Sequence, residues 1–171
     1  MYIEVASEEV ARQAQPQLVN LIIRTVDDGA SIGWLPPMPS AEAEAYWAGR
    51  IAAVHNDETI LLLAWDAETL IGTAQLRLEQ RPNGIHRAEV QKVMVHPNHR
   101  QRGIGKALML TLEEQARHHH RSMLFLDTRE GDASEGLYQK MGYARVGAIP
   151  NYVLNPDGDF AATVVYAKIL A

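Results

Sequence analysis

The chain has 171 residues, no cysteine, and 16 Lys and Arg against 21 Asp and Glu, for a net charge of −5. That is the size of roughly one domain, with room for a core that needs no staples; the missing cysteine excludes disulfides, thiolate metal sites and a Cys nucleophile, and an acidic chain is not built to wrap a phosphate backbone. No apolar run approaches the ~20 residues of a membrane span, and Met1 to Val5 lacks the basic and apolar regions of a signal peptide, so the expectation is one cytoplasmic domain over 1–171 with no nucleic-acid or membrane partner.

Met1 to Ala6 alternates and predicts a first strand. Ser7 before Glu8 and Glu9 suggests a helix start. Pro16 belongs in a first turn, so the main first helix is expected from Pro16 to Asp27, closed by Gly29. Leu18, Leu21, Ile22 and Thr25 form its apolar face. The glycines and prolines between Gly29 and Pro39 mark a loop inside the domain. Ser40 caps a second helix that carries Tyr46, Trp47, Ile51 and Val54 at helical spacing. The apolar run Thr59 to Trp65 suits a buried strand, and Leu70 to Leu78 completes a hairpin with it. Arg81-Pro82-Asn83-Gly84 is a turn, and Ala88 to Val95 is the next strand. Gly103 to His118 reads as a helix with Leu108, Leu112 and Ala116 on one face. Met123 to Thr128 is a strand, and Ala133 to Met141 is a short helix stopped by Gly142. Tyr143 to Ala148 and Ala162 to Ile169 are the last strands, on either side of the turn Asn155-Pro156-Asp157-Gly158. This order implies an α/β (α+β) protein whose mixed sheet carries helices on its faces.

The segment that carries chemistry runs from Val93 to Ala107. A strand enters a loop with two glycines and then a helix, whose first turn offers unpaired N–H groups and the positive end of a dipole. Arg100, Arg102 and Lys106 add charge, and together they read as a pyrophosphate cradle. A Walker loop does not fit, because Ala107 follows Lys106 and position 100 is Arg. A Rossmann fingerprint fails at Leu108. Arg100-x-x-Gly103-x-Gly105 remains, and taken alone it also suits a loop whose glycines only allow a tight turn.

Set after an apolar strand and His96-Pro97, that pattern resembles motif A of the GNAT acetyltransferases. Ala133-Ser134-Glu135-Gly136-Leu137-Tyr138-Gln139-Lys140-Met141-Gly142-Tyr143 is similar to the superfamily's closing motif. Further stretches resemble the tabtoxin-resistance acetyltransferases of pseudomonads: Gly29 to Gly33, Arg87 to Lys92, Leu126-Asp127-Thr128, Tyr143 to Gly147 and Pro156-Asp157-Gly158. The resemblance implies a GNAT fold over essentially the whole chain, with a mixed, mostly antiparallel sheet of about seven strands and about four helices. It implies acetyl-CoA as cosubstrate and a small-molecule amine as acceptor, and it leans toward a homodimer.

By the same resemblance, the backbone of Val93, Met94 and Val95 pairs with the pantetheine arm and gives an N–H to the thioester oxygen. Arg100, Gln101, Arg102, Gly103, Ile104, Gly105 and Lys106 take the pyrophosphate. Tyr138 matches the tyrosine that protonates the leaving thiolate. Many members carry Asn where this chain has Gly131, so that side-chain contact to the pantetheine is either absent or supplied by Asp132 or Ser134. Only a neutral amine attacks, so a base is needed. Glu89 is the first candidate, on the same strand face as Val95 unless a bulge intervenes, and Asp127 is the second. Ser31, Trp34, Asn151 and Tyr152 are expected in the acceptor wall, with Arg87 as the cation an amino-acid-like acceptor requires. No metal is expected, because the consecutive His118, His119 and His120 cannot converge on one ion. The reading is direct transfer of an acetyl group to a primary amine in a ternary complex. The alternatives are a protein or peptide N-acetyltransferase and a CoA-binding regulatory module without turnover.

Overall fold

The computed structural model describes residues 1–170. Seven strands form one sheet in the order β1-β2-β3-β4-β5-β7-β6. They are β1 (Tyr2–Val5), β2 (Thr59–Asp66), β3 (Thr69–Leu78), β4 (Arg87–Val95), β5 (Met123–Arg129), β6 (Ala144–Leu154) and β7 (Phe160–Ile169). Every neighbouring pair is antiparallel except β4 with β5. Four helices cover the faces: α1 (Glu8–Asp27), α2 (Ser40–His55), α3 (Ile104–His118) and α4 (Ser134–Lys140). The expected mixed, mostly antiparallel α+β architecture is therefore present.

The unbroken apolar run in β2 has a simple cause. Ile60, Leu62 and Ala64 join the core packed against α3, while Leu61, Leu63 and Trp65 join the core packed against α1 and α2. A strand covered on both sides has no polar face to alternate with.

Three element boundaries differ from the sequence reading. First, α1 begins well ahead of Pro16. Ser7 Oγ accepts from the Val10 N–H at 3.3 Å, and Glu8 and Glu9 stand in the first turn. The helix then runs through Pro16, which removes one internal hydrogen bond; Arg12 and Pro16 are both exposed, so water can serve the carbonyl that loses its partner. Second, Ser40 is not a cap. Pro39 precedes the helix, and Ser40 Oγ donates to Glu44 Oε1 at 2.9 Å. Third, β6 continues past Ala148 to Leu154. It is an edge strand, where Pro150 removes no ladder bond that a neighbour needs, and its register with β7 shifts between Ile149 and Val153.

Two irregularities position the site. The β4–β5 pairing covers only Arg87–Glu89 opposite Met123–Phe125. Beyond it, β4 continues along β3 to Val95 and β5 continues along β7 to Arg129, leaving a gap inside the sheet. In β4, Gln91 pairs with Gln75 but Met94 pairs with Thr73, so one extra residue is inserted in β4. This is a β-bulge, and Lys92 within it has φ 50°.

Candidate active site

The gap opens into a cleft of about 1360 Å³. One wall is the stretch of β4 from Val90 to Val95, whose inner edge has no strand partner there. Unpaired N–H and C=O groups along a strand edge are a template for an extended chain. The cleft leads to the loop before α3. Gln101 has φ 61°, and Gly103, immediately before the helix, has φ 79°. The left-handed turn at Gly103 favours a residue without Cβ and leads straight into the free N–H groups of α3's first turn. A Cβ on Gly105 would lie 3.4 Å from Leu137 Cδ2, so side chains larger than methyl run into α4.

Of the expected phosphate-binding cations, Lys106 lines the cleft. Arg100 lines it too, but its guanidinium is engaged: Nη1 pairs with Asp28 at the end of α1, and Nε donates to the Val95 carbonyl at 3.4 Å. Arg102 is exposed and does not line the cleft.

Tyr138 reaches the gap from the α3 side, where its ring belongs to the core. It is only 6% exposed. Burial pushes its hydroxyl pKa up to about 12, with the negative charges of Asp127 and Asp132 adding to the effect. The phenol is therefore protonated at neutral pH. Ser134 lines the cleft and its hydroxyl bonds that of Thr128 at 2.8 Å. Gly131 has φ 88°, and its N–H donates to Glu135 Oε1 at 2.7 Å. The departure from Asn thus coincides with a left-handed turn that anchors the start of α4. Asp132 lines the cleft and pairs with Arg129 at 2.9 Å.

The bulge corrects the position of Glu89. Ala88 and Val90 share the α3 side with Val93 and Val95, because the extra residue reverses the alternation. Glu89 consequently faces α1 and α2, opposite Val95. It lines the cleft, and Arg77 holds its Oε2 through Nη2 at 2.9 Å and Nε at 3.1 Å. Asp127 also faces that side, since Leu124 and Leu126 alternate into the α3 core. Its Oδ2 accepts from the Thr163 hydroxyl at 2.7 Å, and no salt bridge holds it among the described residues.

Of the residues expected in the acceptor wall, Ser31, Trp34 and Tyr152 line the cleft. Arg87 and Asn151 do not. Arg87 pairs with Glu79 at 3.4 Å outside the cleft, and Asn151 sits exposed in the β6 irregularity with φ 52°. Among the lining residues that the sequence did not mark are Tyr46, Arg50, Lys92 and Arg129. Trp34 and Tyr46 meet edge to face at 4.9 Å, and the Tyr46 hydroxyl shares hydrogen bonds with buried Gln75. Arg129 Nη2 donates to the Gly29 carbonyl at 3.2 Å and Nη1 to Asn155 Oδ1 at 3.1 Å, tying two loops to β5. The spacing of Tyr46 and Arg50, one turn apart on α2, was a readable signal. Lys92 had none, because its orientation depends on the bulge.

Among the described residues, no group of three or more His, Asp and Glu is arranged to hold a metal ion, and no helix is long and apolar enough to cross a membrane.

The acetyltransferase (GNAT) family matches this chain over residues 25–143. The chain belongs to the GNAT acetyltransferases. As a member it is an acyltransferase that uses acetyl-CoA and an amine acceptor. Glucosamine 6-phosphate N-acetyltransferase of Schizosaccharomyces pombe is 36% identical over 85 residues, which cover 48% of this chain and 74% of that protein. The ribosomal-protein-alanine N-acetyltransferase of Brucella melitensis superposes with a TM-score of 0.81 at 22% identity, covering 99% of this chain and 100% of that one. The Salmonella typhimurium putative acetyltransferase yncA, solved with its cofactor acetyl-CoA, gives 0.81 at 17% identity, covering 100% and 94%. At these identities the two structures establish the GNAT fold. By their names, the first relative acts on an amino-sugar phosphate and the second on a protein, so acceptors differ widely within this one architecture.

Proposed function

We propose that this chain is a single-domain cytoplasmic enzyme that transfers the acetyl group of acetyl-CoA to the primary amine of a small molecule, amino-acid-like or of the toxin or antibiotic type. The attack is direct, in a ternary complex. One observation carries the reading: the unpaired inner edge of β4 runs into the left-handed Gly103 and the open first turn of α3, with a protonated Tyr138 on one side of the gap and Asp127 on the other. An extended arm ending in a pyrophosphate fits the edge and the turn.

The chain's own groups then divide the work. The backbone of Val93 to Val95 holds the arm and offers an N–H to the oxygen that gains negative charge. The loop from Gln101 to Lys106 holds the phosphates, and Ser134 supports the arm from α4. Tyr138 gives its proton to the departing thiolate. Asp127 binds the incoming ammonium and takes its proton, directly or through water, because Arg77 already occupies Glu89. Acid and base thus stand on opposite sides of the gap, so the acceptor approaches from the α1 and α2 side. The Gly29 to Pro39 loop, tied down by Arg129 and Lys92, covers that approach and favours a small acceptor over a protein. The finer resemblance to the tabtoxin-resistance enzymes is not borne out: the curated relative that matches is a glucosamine 6-phosphate N-acetyltransferase, which supports a small-molecule acceptor.

The exposed apolar side chains of Val146 and Ile149 on the edge strand β6 support a homodimer; sedimentation as a monomer at micromolar concentration contradicts that part.

Tyr138→Phe tests the division of labour. General acid catalysis contributes about 10²- to 10⁴-fold, so kcat should fall by at least about 10²-fold while acetyl-CoA affinity stays within twofold (~0.4 kcal/mol). Unchanged turnover removes the acid role. Retained acetyl-CoA binding with no turnover on any amine by the unaltered protein favours the regulatory module.

A further inference from the structure

We propose that the acceptor carries an anionic group, a carboxylate or a phosphate, and that Lys92 is the residue that selects it. The inference rests on the cleft being the acceptor site of an acetyltransferase, as argued above.

Lys92 is the inserted residue of the β4 bulge, and its backbone is left-handed, with φ 50°. A non-glycine residue in that region is strained and persists only where the surroundings hold it. The bulge turns the side chain into the acceptor end of the cleft. There Nζ donates to the Ile32 carbonyl at 2.7 Å. The Trp34 ring centroid lies 5.5 Å from Nζ and the Tyr46 centroid 6.0 Å.

An ammonium has three protons to donate. One goes to Ile32; no other hydrogen-bond acceptor or salt-bridging carboxylate contacts Nζ among the described residues. Two aromatic faces attract the charge but leave two donors without acceptors. Burial lowers the pKa of this lysine, and Glu89 and Asp127 counteract that only from beyond contact distance, with Arg50 opposing them. A desolvated cation with spare donors, open to a cleft, is an incomplete anion site.

The surroundings extend the match. Arg50 stands over the Tyr46 ring, its guanidinium carbon 5.8 Å from the centroid, and lines the same end. Asp127 lines the cleft as well, and its charge acts on both Lys92 and the Tyr138 hydroxyl. The cleft therefore offers a cation flanked by aromatic rings at Lys92 and a carboxylate at Asp127. An amine that also bears a carboxylate or phosphate presents the complementary charges. Its ammonium meets Asp127 while its anion takes the two spare Lys92 donors. Arg87, the cation expected from sequence for this purpose, is outside the cleft.

The test is kcat/KM, from thiol release, for matched amine pairs. In the carboxylate arm each amino acid is compared with its carboxamide; in the phosphate arm each amino-sugar 6-phosphate is compared with the free amino sugar. A charged hydrogen bond is worth about 10- to 100-fold. The anionic member should be preferred by that factor in one arm, and that arm names the anion. Lys92→Gln should bring the ratio close to one, and Lys92→Arg should retain most of it. A lysine that merely straps the loop down would change both members of a pair alike and leave their ratio untouched. If Lys92→Gln does not fold, Lys92→Met is read by the same ratio, and the ratio of the unaltered protein decides independently whether the acceptor is anionic. A ratio near one in both arms, or a ratio preserved without the lysine, overturns the inference while leaving the transferase reading intact. No thiol release with any amine overturns both.

Discussion

Asp127 and Glu89 sit on the same side of the sheet, yet they are held differently. Arg77 grips one Glu89 oxygen with two nitrogens, whereas among the described residues only the neutral Thr163 hydroxyl bonds the Asp127 carboxylate. The first arrangement fixes a charge in place, and the second leaves a carboxylate available to an ammonium. Asp127→Asn should therefore lower kcat by about 10²-fold, the lower range of proton-transfer catalysis, and Glu89→Gln by clearly less. The reverse ranking would return the base to Glu89. Single residues differed in how readable they were. Tyr138 was legible because its motif fixes its place on α4. Arg87 and Asn151 were not, because their side chains are claimed by Glu79 and by the β6 irregularity. Neither partner announces itself in a linear pattern.

At the scale of elements, periodic or continuous apolar runs between turn residues located every helix and strand. What escaped them depends on pairing. The β4 bulge exists only in the register between β3 and β4, and it moves Glu89 to the other face and brings Lys92 into the cleft. Pro16 misled for a related reason. A proline rule weighs the lost bond without knowing that the helix is already capped at Ser7 and that the affected turn faces solvent. Pro16→Ala tests this. An interior proline costs about 3 kcal/mol relative to alanine, offset by about 1 kcal/mol from a stiffer unfolded chain. Urea unfolding should show a gain of about 1–2 kcal/mol, and no gain contradicts a continuous α1. The loop before α3 gives a second test. Valine at position 103 must adopt φ near 79° or distort the turn, at a cost of order 1–3 kcal/mol. Gly103→Val should weaken acetyl-CoA binding at least about tenfold, read by calorimetry on protein whose circular dichroism is unchanged.

For the whole molecule, the decisive feature is a sheet that stays paired everywhere except between the outer halves of β4 and β5. The two cores hold the sheet rigid from both faces, and the gap lets groups from opposite faces meet: Tyr138 from the α3 side, Asp127 and Lys92 from the α1 and α2 side. Motif resemblance placed the expected cofactor edge at Val93 to Val95, where β4 has no β5 partner and lines the cleft. It did not reveal that the cleft offers both a cation flanked by aromatic rings and a carboxylate, because Tyr46, Arg50, Lys92 and Asp127 come from three elements far apart in sequence. The central claim is transfer across this gap, and free-thiol release from acetyl-CoA over a panel of amino acids, amino sugars, polyamines and short peptides measures it most directly. Release should require an amine and be fastest with a small one. Tight acetyl-CoA binding with no amine-dependent release, or release fastest with peptides, would contradict it.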